Sequence, residues 1–298
     1  IISSAGQLER IGKGTLVIQT TVATPATTPI ITNNLGNSTT NFQRLILADA
    51  NQLPAPLYGT VNAGSGAPTA MAPAYIVNAS DATFVTYGAN GFQNLQTNTA
   101  SPAAGITAYS NIVGASFTAG LTDGLATVDV QTVSSLGYDA FVYALRTAFN
   151  ITGTASTLAI QSDPTVNAYG GLLIANTSTI SPKLYFGNTT KTTPGETIIY
   201  VGATDASATT PVAAPTAVTA TIANTITAAS ITKFGVGALL INNAQTHSGG
   251  WTVNQGTLSI TNLAGLGAAQ ASNTVVLNAA GLTFGVIAAS GTYTSGPI

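Results

Sequence analysis

Two glycine-led apolar runs constrain this chain more than anything else in it. Gly237-Ala238-Leu239-Leu240-Ile241 and Gly256-Thr257-Leu258-Ser259-Ile260 stand 19 residues apart, with a Gly249-Gly250 turn and a short run, Trp251–Val253, between them. That spacing suits one coil of a β-solenoid, in which the chain returns to the same face one strand further along. The first half of the unit recurs near the start. Leu8–Ile18, LERIGKGTLVI, aligns with Ile231–Ile241, ITKFGVGALLI. Both read apolar, polar, basic, apolar, Gly-x-Gly, small, then three apolar residues.

Composition narrows the class further. Charged residues make up 5% of the 298, against about 25% in an ordinary soluble domain. The polar surface therefore rests on Thr, Ser, Asn and Gln. Thr-, Val- and Ile-rich segments punctuated by Gly favour strands, so the fold class expected is all-β. A net charge of -2 with 7 Lys plus Arg leaves no basic patch for nucleic acid. Cysteine is absent, which excludes disulfides and thiolate chemistry. No run of 18 apolar residues offers a membrane-spanning helix, and no signal peptide is recognisable at Ile1. The tail lacks the alternating ten-residue strands of an outer-membrane barrel. The chain reads as a mature product or a piece of something longer. A surface so poor in charge resists association weakly and suits a protein that assembles.

Read in order, the chain is expected to form one module over residues 1–298, with repeat-like rungs at 1–24, a spacer at 25–230 and the repeat with its last rungs at 231–298. Thr15–Val22 and Phe42–Asp49 read as strands, with a Pro-, Thr- and Asn-rich loop between. The prolines of 51–73 mark an excursion outside the stack. Further strands are expected at Ala74–Asn78, Ala82–Tyr87, Ile112–Thr118, Ala126–Val133, Thr154–Ile160, Tyr169–Ala175, Lys183–Phe186, Glu196–Val201, Val218–Ile226, Thr274–Leu277 and Gly281–Phe284. Asp139–Asn150 suits a buried helix as well as a strand, and strand is preferred. Ala203–Ala217 reads as a loop, and Ala288–Ile298 as a final strand or an arm.

Few residue groups invite chemistry. His247, the single histidine, cannot build a zinc site without Cys partners and is expected as an exposed turn residue. Ser248 beside it lacks any nucleophile-elbow context. Asp123, Asp129 and Asp139 would approach one another across rungs if they lined a polysaccharide-cleaving groove. The alternative is turn capping, which Asp performs readily. Tyr138, Phe141, Tyr143 and Phe149, and again Tyr185, Phe186 and Tyr200, either stack on sugars or fill the core. Gly235 and Gly237 are expected to turn the backbone with positive φ. No catalytic, cofactor-binding or metal-ligating residue is assigned.

The stretch Ile231–Ile260 resembles the autotransporter-associated β-strand repeat of bacterial surface proteins. Lys233, Gly235, Gly237, Leu239 and Ile241 fill its first part, and Gly249, Gly250, Thr252, Val253, Gly256, Thr257 and Leu258 its second. His247 stands where the family often has an aromatic, and Trp251 replaces a small polar residue. The copy at Leu8–Ile18 keeps Arg10, Gly12, Gly14, Thr15 and Leu16 but lacks the second half. The resemblance implies a right-handed parallel β-helix with loop excursions, exported to the cell surface, and no catalytic residue. Leu16, Ile18, Leu239, Ile241, Leu258 and Ile260 are expected to point inward. The function expected is an extracellular structural rod that assembles head to tail into a surface fibre. The alternatives are a glycan-binding adhesin or a carbohydrate-active β-helix enzyme.

Overall fold

The computed structural model describes residues 8, 10–19, 35, 45–47, 53, 55–89, 91–96, 102, 107–117, 120–203, 217–247, 249–267, 274–278 and 280–284. Among them the chain is all-β, with two short 3-10 turns at Pro164–Val166 and Leu263–Leu266 and no α-helix. From residue 111 onward it builds three parallel sheets, and from Thr127 to Thr227 it visits them in a fixed rotation. The first sheet stacks Asn111–Val113, Thr127–Val130, Ala144–Thr147, Leu172–Ile174, Glu196–Val201, Ser230–Phe234, Trp251–Val253 and Val275–Leu277 in chain order. The second stacks Ser134–Ser135, Ile151–Thr152, Ser178–Ile180, Thr219–Ile222, Ala238–Ile241, Gly256–Ile260 and Ala280–Phe284. The third holds Ala140–Val142, Thr157–Asp163, Lys183–Gly187 and Ile226–Thr227, with Ala168–Tyr169 added antiparallel.

The 19-residue spacing is a coil in this stack, since Ala238 pairs with Thr257 and Ile241 with Ile260. Other coils differ in length. Val128 pairs with Leu145, but Thr197 with Ile231, and the extra residues leave the register intact. One apolar core draws on all three sheets: Leu172 and Ile199 from the first, Leu239 and Leu258 from the second, Leu158 and Phe186 from the third. Asp139–Asn150 forms two strands, Ala140–Val142 in the third sheet and Ala144–Thr147 in the first, with a bend at Tyr143. A corner between sheets breaks the run that a helix would need.

Burial differs between sheets, and residue pattern explains it. In the second sheet Leu239 and Ile241 are buried while Ala238 and Leu240 are half-buried, the alternation of a strand with one covered face. In the first sheet Thr197, Ile198, Ile199, Tyr200 and Val201 are all buried. Continuous apolar runs belong to sheets covered on both sides. The cover is a second core, joining Ile198, Tyr200, Leu173 and Phe234 to Ile18, Tyr75, Ile76, Phe84 and Phe92.

That cover is the N-terminal part of the chain. Leu16–Ile18 pairs in parallel with Ile76–Asn78, which continues antiparallel through Thr83–Gly88 and Gly91–Asn94. Val61–Ala63 pairs antiparallel with Thr107–Tyr109. Leu16–Ile18 was expected as a rung; its sheet partner is Ile76–Asn78, and Leu16 and Ile18 face the second core. Leu239, Ile241, Leu258 and Ile260 do point into the first. Within Phe42–Asp49 only Leu45, Ile46 and Leu47 are described, and they form no strand. Most of the 203–217 loop and all of the 288–298 tail lie outside the described residues.

Candidate functional site

The Lys233-x-Gly235-x-Gly237 motif forms a clamp at the corner between the first and second sheets. Gly235 adopts φ +83°, and a Cβ there would meet the Val201 carbonyl and the Tyr200 ring. Gly237 was expected to share that positive φ, but among the described residues it is not in the left-handed region. It needs to be small because a Cβ would strike the Gly202 and Val218 carbonyls. Lys233 is fully buried, and its Nζ donates to the carbonyls of Gly235 at 2.7 Å, Gly237 at 2.5 Å and Gln255 at 2.7 Å. Burial draws its pKa down to about 7. Against that pull, three carbonyls give each N–H of an ammonium one acceptor. Gln255 belongs to the following coil, so one side chain ties two coils together.

The N-terminal copy reproduces the turn in a different setting. Gly12 has φ +57°, and Arg10 Nε donates to the Gly14 carbonyl at 2.8 Å, the same four-residue step as Lys233 to Gly237. Its guanidinium then grips Glu196 at 2.8 Å through both terminal nitrogens and lies 4.2 Å from the centre of the Tyr75 ring. Lys13 reaches Glu196 at 3.2 Å and Ser230 at 2.8 Å, while Asn254 donates to the Lys13 carbonyl at 2.8 Å. Thr232 adds a hydroxyl bond to Glu196 at 2.5 Å. Burial alone would raise the Glu196 carboxyl. The Arg10 bonds and charge, with help from Lys13 and Thr232, outweigh it and hold the pKa below the ordinary value.

A third ion pair lies within the first sheet, and its arginine also reaches the N-terminal layer. Asp129 and Arg146 face each other on adjacent strands at 2.9 Å, and Arg146 Nε donates to the Ala82 carbonyl in the N-terminal layer. The remaining described carboxylates accept hydrogen bonds, some in turns and some between strands. Asp123 accepts from Leu125 N–H, Asp139 from Thr157 N–H, and Asp163 from Thr165 N–H. Asp81 binds the amides of Asn78 and Asn94. Asp123, Asp129 and Asp139 thus each serve a separate partner. Among the described residues no three His, Asp or Glu side chains gather to hold a metal ion.

His247 departs from expectation: it is 2% exposed, not a solvated turn residue. Among the described residues no strand occupies the third sheet in this coil; Asn242, Asn243, Ala244 and Thr246 are exposed, and Gln245 and His247 are buried. Gln245 replaces the missing strand by accepting from Ile226 N–H, and the His247 ring meets Trp251 edge-on at 5.6 Å. Its Nδ1 lies 2.8 Å from the Gly249 carbonyl, and Nε2 has no partner. Burial lowers its pKa despite that bond. Among the aromatics, Phe141, Tyr143, Tyr185, Phe186 and Tyr200 are buried, while Tyr138 and Phe149 are exposed. Phe141, Ala159 and Tyr185 form a small cluster of their own in the third sheet, apart from the main core.

Sequence reading found the Lys-x-Gly-x-Gly motif but missed Glu196 and Asp129 as anchors. A polar residue among continuous apolar neighbours, as in Glu196-Thr197-Ile198-Ile199, was the available signal. No protein-family model, curated protein or solved structure matches this chain.

Proposed function

We propose that this chain is a right-handed parallel β-helix of the autotransporter-associated kind. It works outside the cell as a structural rod that stacks head to tail into a fibre. The observation that carries the reading is the unbroken parallel register reaching the last described coil. There Trp251 pairs with Val275 and Leu258 with Leu282, and Val275, Leu277 and Leu282 are only partly buried against the core. The first coil differs, with Val113, Phe117 and Leu121 at 2%, 3% and 5% exposure. A head-to-tail contact would bury these partly covered side chains of the last described coil against the next copy.

The charged groups support the same reading. The described ion pairs and the buried Lys233 bind parts of the molecule to each other, and backbone N–H groups and side-chain amides engage the remaining described carboxylates, so the reading assigns none of these groups to chemistry. Electron microscopy and fibre diffraction test it. Fibres with an axial repeat of about 4.8 Å, the spacing between strands, are expected. A chain that sediments as a monomer at every concentration overturns the reading.

A further inference from the structure

We infer that the outer face of the third sheet holds a binding site for a neutral sugar residue. The inference goes beyond the fibre reading and holds for a single chain, so the failure of one leaves the other standing. Leu158, Ile160, Leu184 and Phe186 belong to the main core. Strand alternation therefore turns Ala159, Gln161, Tyr185 and Gly187 outward. Phe141 stands beside Ala159 in register, and Phe141, Ala159 and Tyr185 form the small cluster apart from that core. Two polar atoms at this face are unsatisfied. Gln161 is 1% exposed and Tyr185 8%, yet neither Gln161 Oε1 nor the Tyr185 hydroxyl has a hydrogen-bond partner among the described residues. The other end of the Gln161 amide is engaged, with Nε2 donating to the Tyr58 hydroxyl at 3.2 Å. Glycine leaves room beside each orphan atom. A Cβ on Gly124 would meet Gln161 Oε1 and the Phe141 ring, and one on Gly187 would meet the Tyr185 hydroxyl. Gln161 and Gly187 are register partners, so both orphan atoms border one part of the sheet.

Buried polar atoms without a partner in the chain take one from outside it. Here the missing partners are a donor for Gln161 Oε1 and either a donor or an acceptor for the Tyr185 hydroxyl. A sugar hydroxyl serves both roles, and the C–H face of a sugar ring suits an aromatic floor with a few fixed polar groups. The turn after Gly187 covers the place. Thr189, Thr190, Lys191, Thr192 and Thr193 are exposed, and the described side-chain hydrogen bonds of the turn stay within it. The turn can therefore shift without giving up a described side-chain hydrogen bond to the sheet. Lys191, at φ +56°, brings Nζ to 5.8 Å from the centre of the Phe141 ring and joins no ion pair among the described residues. Its ammonium is a further donor at the rim. Asp123 adjoins Gly124, and Asp163 ends the strand that carries Gln161. A sugar with its own negative charge would meet both carboxylates, which favours a neutral one.

Isothermal titration of the full chain with neutral oligosaccharides of glucose, mannose and galactose tests the inference. Binding of at least one of them is expected. Tyr185→Phe keeps the ring and removes only the unpaired hydroxyl. It should leave the melting temperature unchanged or raised, and weaken binding several-fold. Lys191→Ala should also weaken binding, whereas Thr221→Ala, on the second sheet, should not. Binding of none of the three classes overturns the inference. Binding that Tyr185→Phe leaves unchanged overturns it too, as does a crystal structure grown with the bound oligosaccharide that shows water alone at Gln161 and Tyr185.

Discussion

The two copies of one motif, Arg10–Ile18 and Lys233–Ile241, make the same turn and live in different places. Each puts a positive-φ glycine two residues after a basic side chain, and each basic side chain bonds the carbonyl four residues on. Lys233 spends its remaining bonds inside the coil stack, whereas Arg10 spends its own on Glu196 across a layer boundary. The motif therefore encodes a local turn. Its destination is set by what flanks it: Trp251–Ile260 returns the chain for another coil after the second copy, and nothing comparable follows the first.

The sharpest break of that comparison is a charge in the matching apolar place. Leu239→Asp should cost about 5 kcal/mol through a buried unpaired charge, and Leu16→Asp, only partly buried, far less; denaturant midpoints decide. Next, Lys233→Met strands three carbonyls and should cost about 3–5 kcal/mol, while Arg10→Met should cost about 1–2. Equal losses would show that the two clamps are energetically alike. Gly235→Ala adds a clash to an unfavourable φ, whereas a Cβ at Gly12 meets nothing. The first should lose about 3 kcal/mol and the second about 1, read from thermal melts.

The smallest effect concerns pH. The folded pKa of His247 lies below its ordinary 6.5, so the unfolded chain takes up the proton first as pH falls. Stability is then fully present above 6.5 and declines below it. Glu196, also lowered, from 4.5, contributes stability above that value and loses it in a more acidic window. Protection factors of the Trp251–Val253 amides, which divide out the intrinsic pH dependence of exchange, should fall below pH 6.5 in the parent and stay flat in His247→Phe. The same slope in both would remove His247 as the cause.

Much of the stack was legible. Gly237 and Gly256 announced the coil, and Ala238 pairs with Thr257 as their spacing requires. Glu196–Val201 falls on the strand expected for it. What stayed hidden was the layer over the first sheet. Its evidence was present in Ile198-Ile199-Tyr200-Val201 and Leu172-Leu173-Ile174, continuous apolar runs where a one-sided sheet would alternate. A pattern states that both faces are covered but not by which residues. His247 was hidden for another reason. Turn composition predicts exposure, whereas the ring packs edge-on against Trp251. The anchors of Glu196 lie 186 residues away at Arg10, a pairing no local spacing reveals.

The N-terminal segment touches Glu196, Ser230 and Asn254, which belong to three successive strands of the first sheet or the turn just after them. Those strands are joined to one another by hydrogen bonds that run along the stack, so a pull in that direction would load them. Loaded this way, bare coils would peel off singly, each yielding at the strength of one strand pair. A splint fastened at three points shares the load, so these coils resist a pull together. The three fastenings come from Arg10 and Lys13, in the turn ahead of Leu16–Ile18, so a turn outside the stack is what would couple these coils under load.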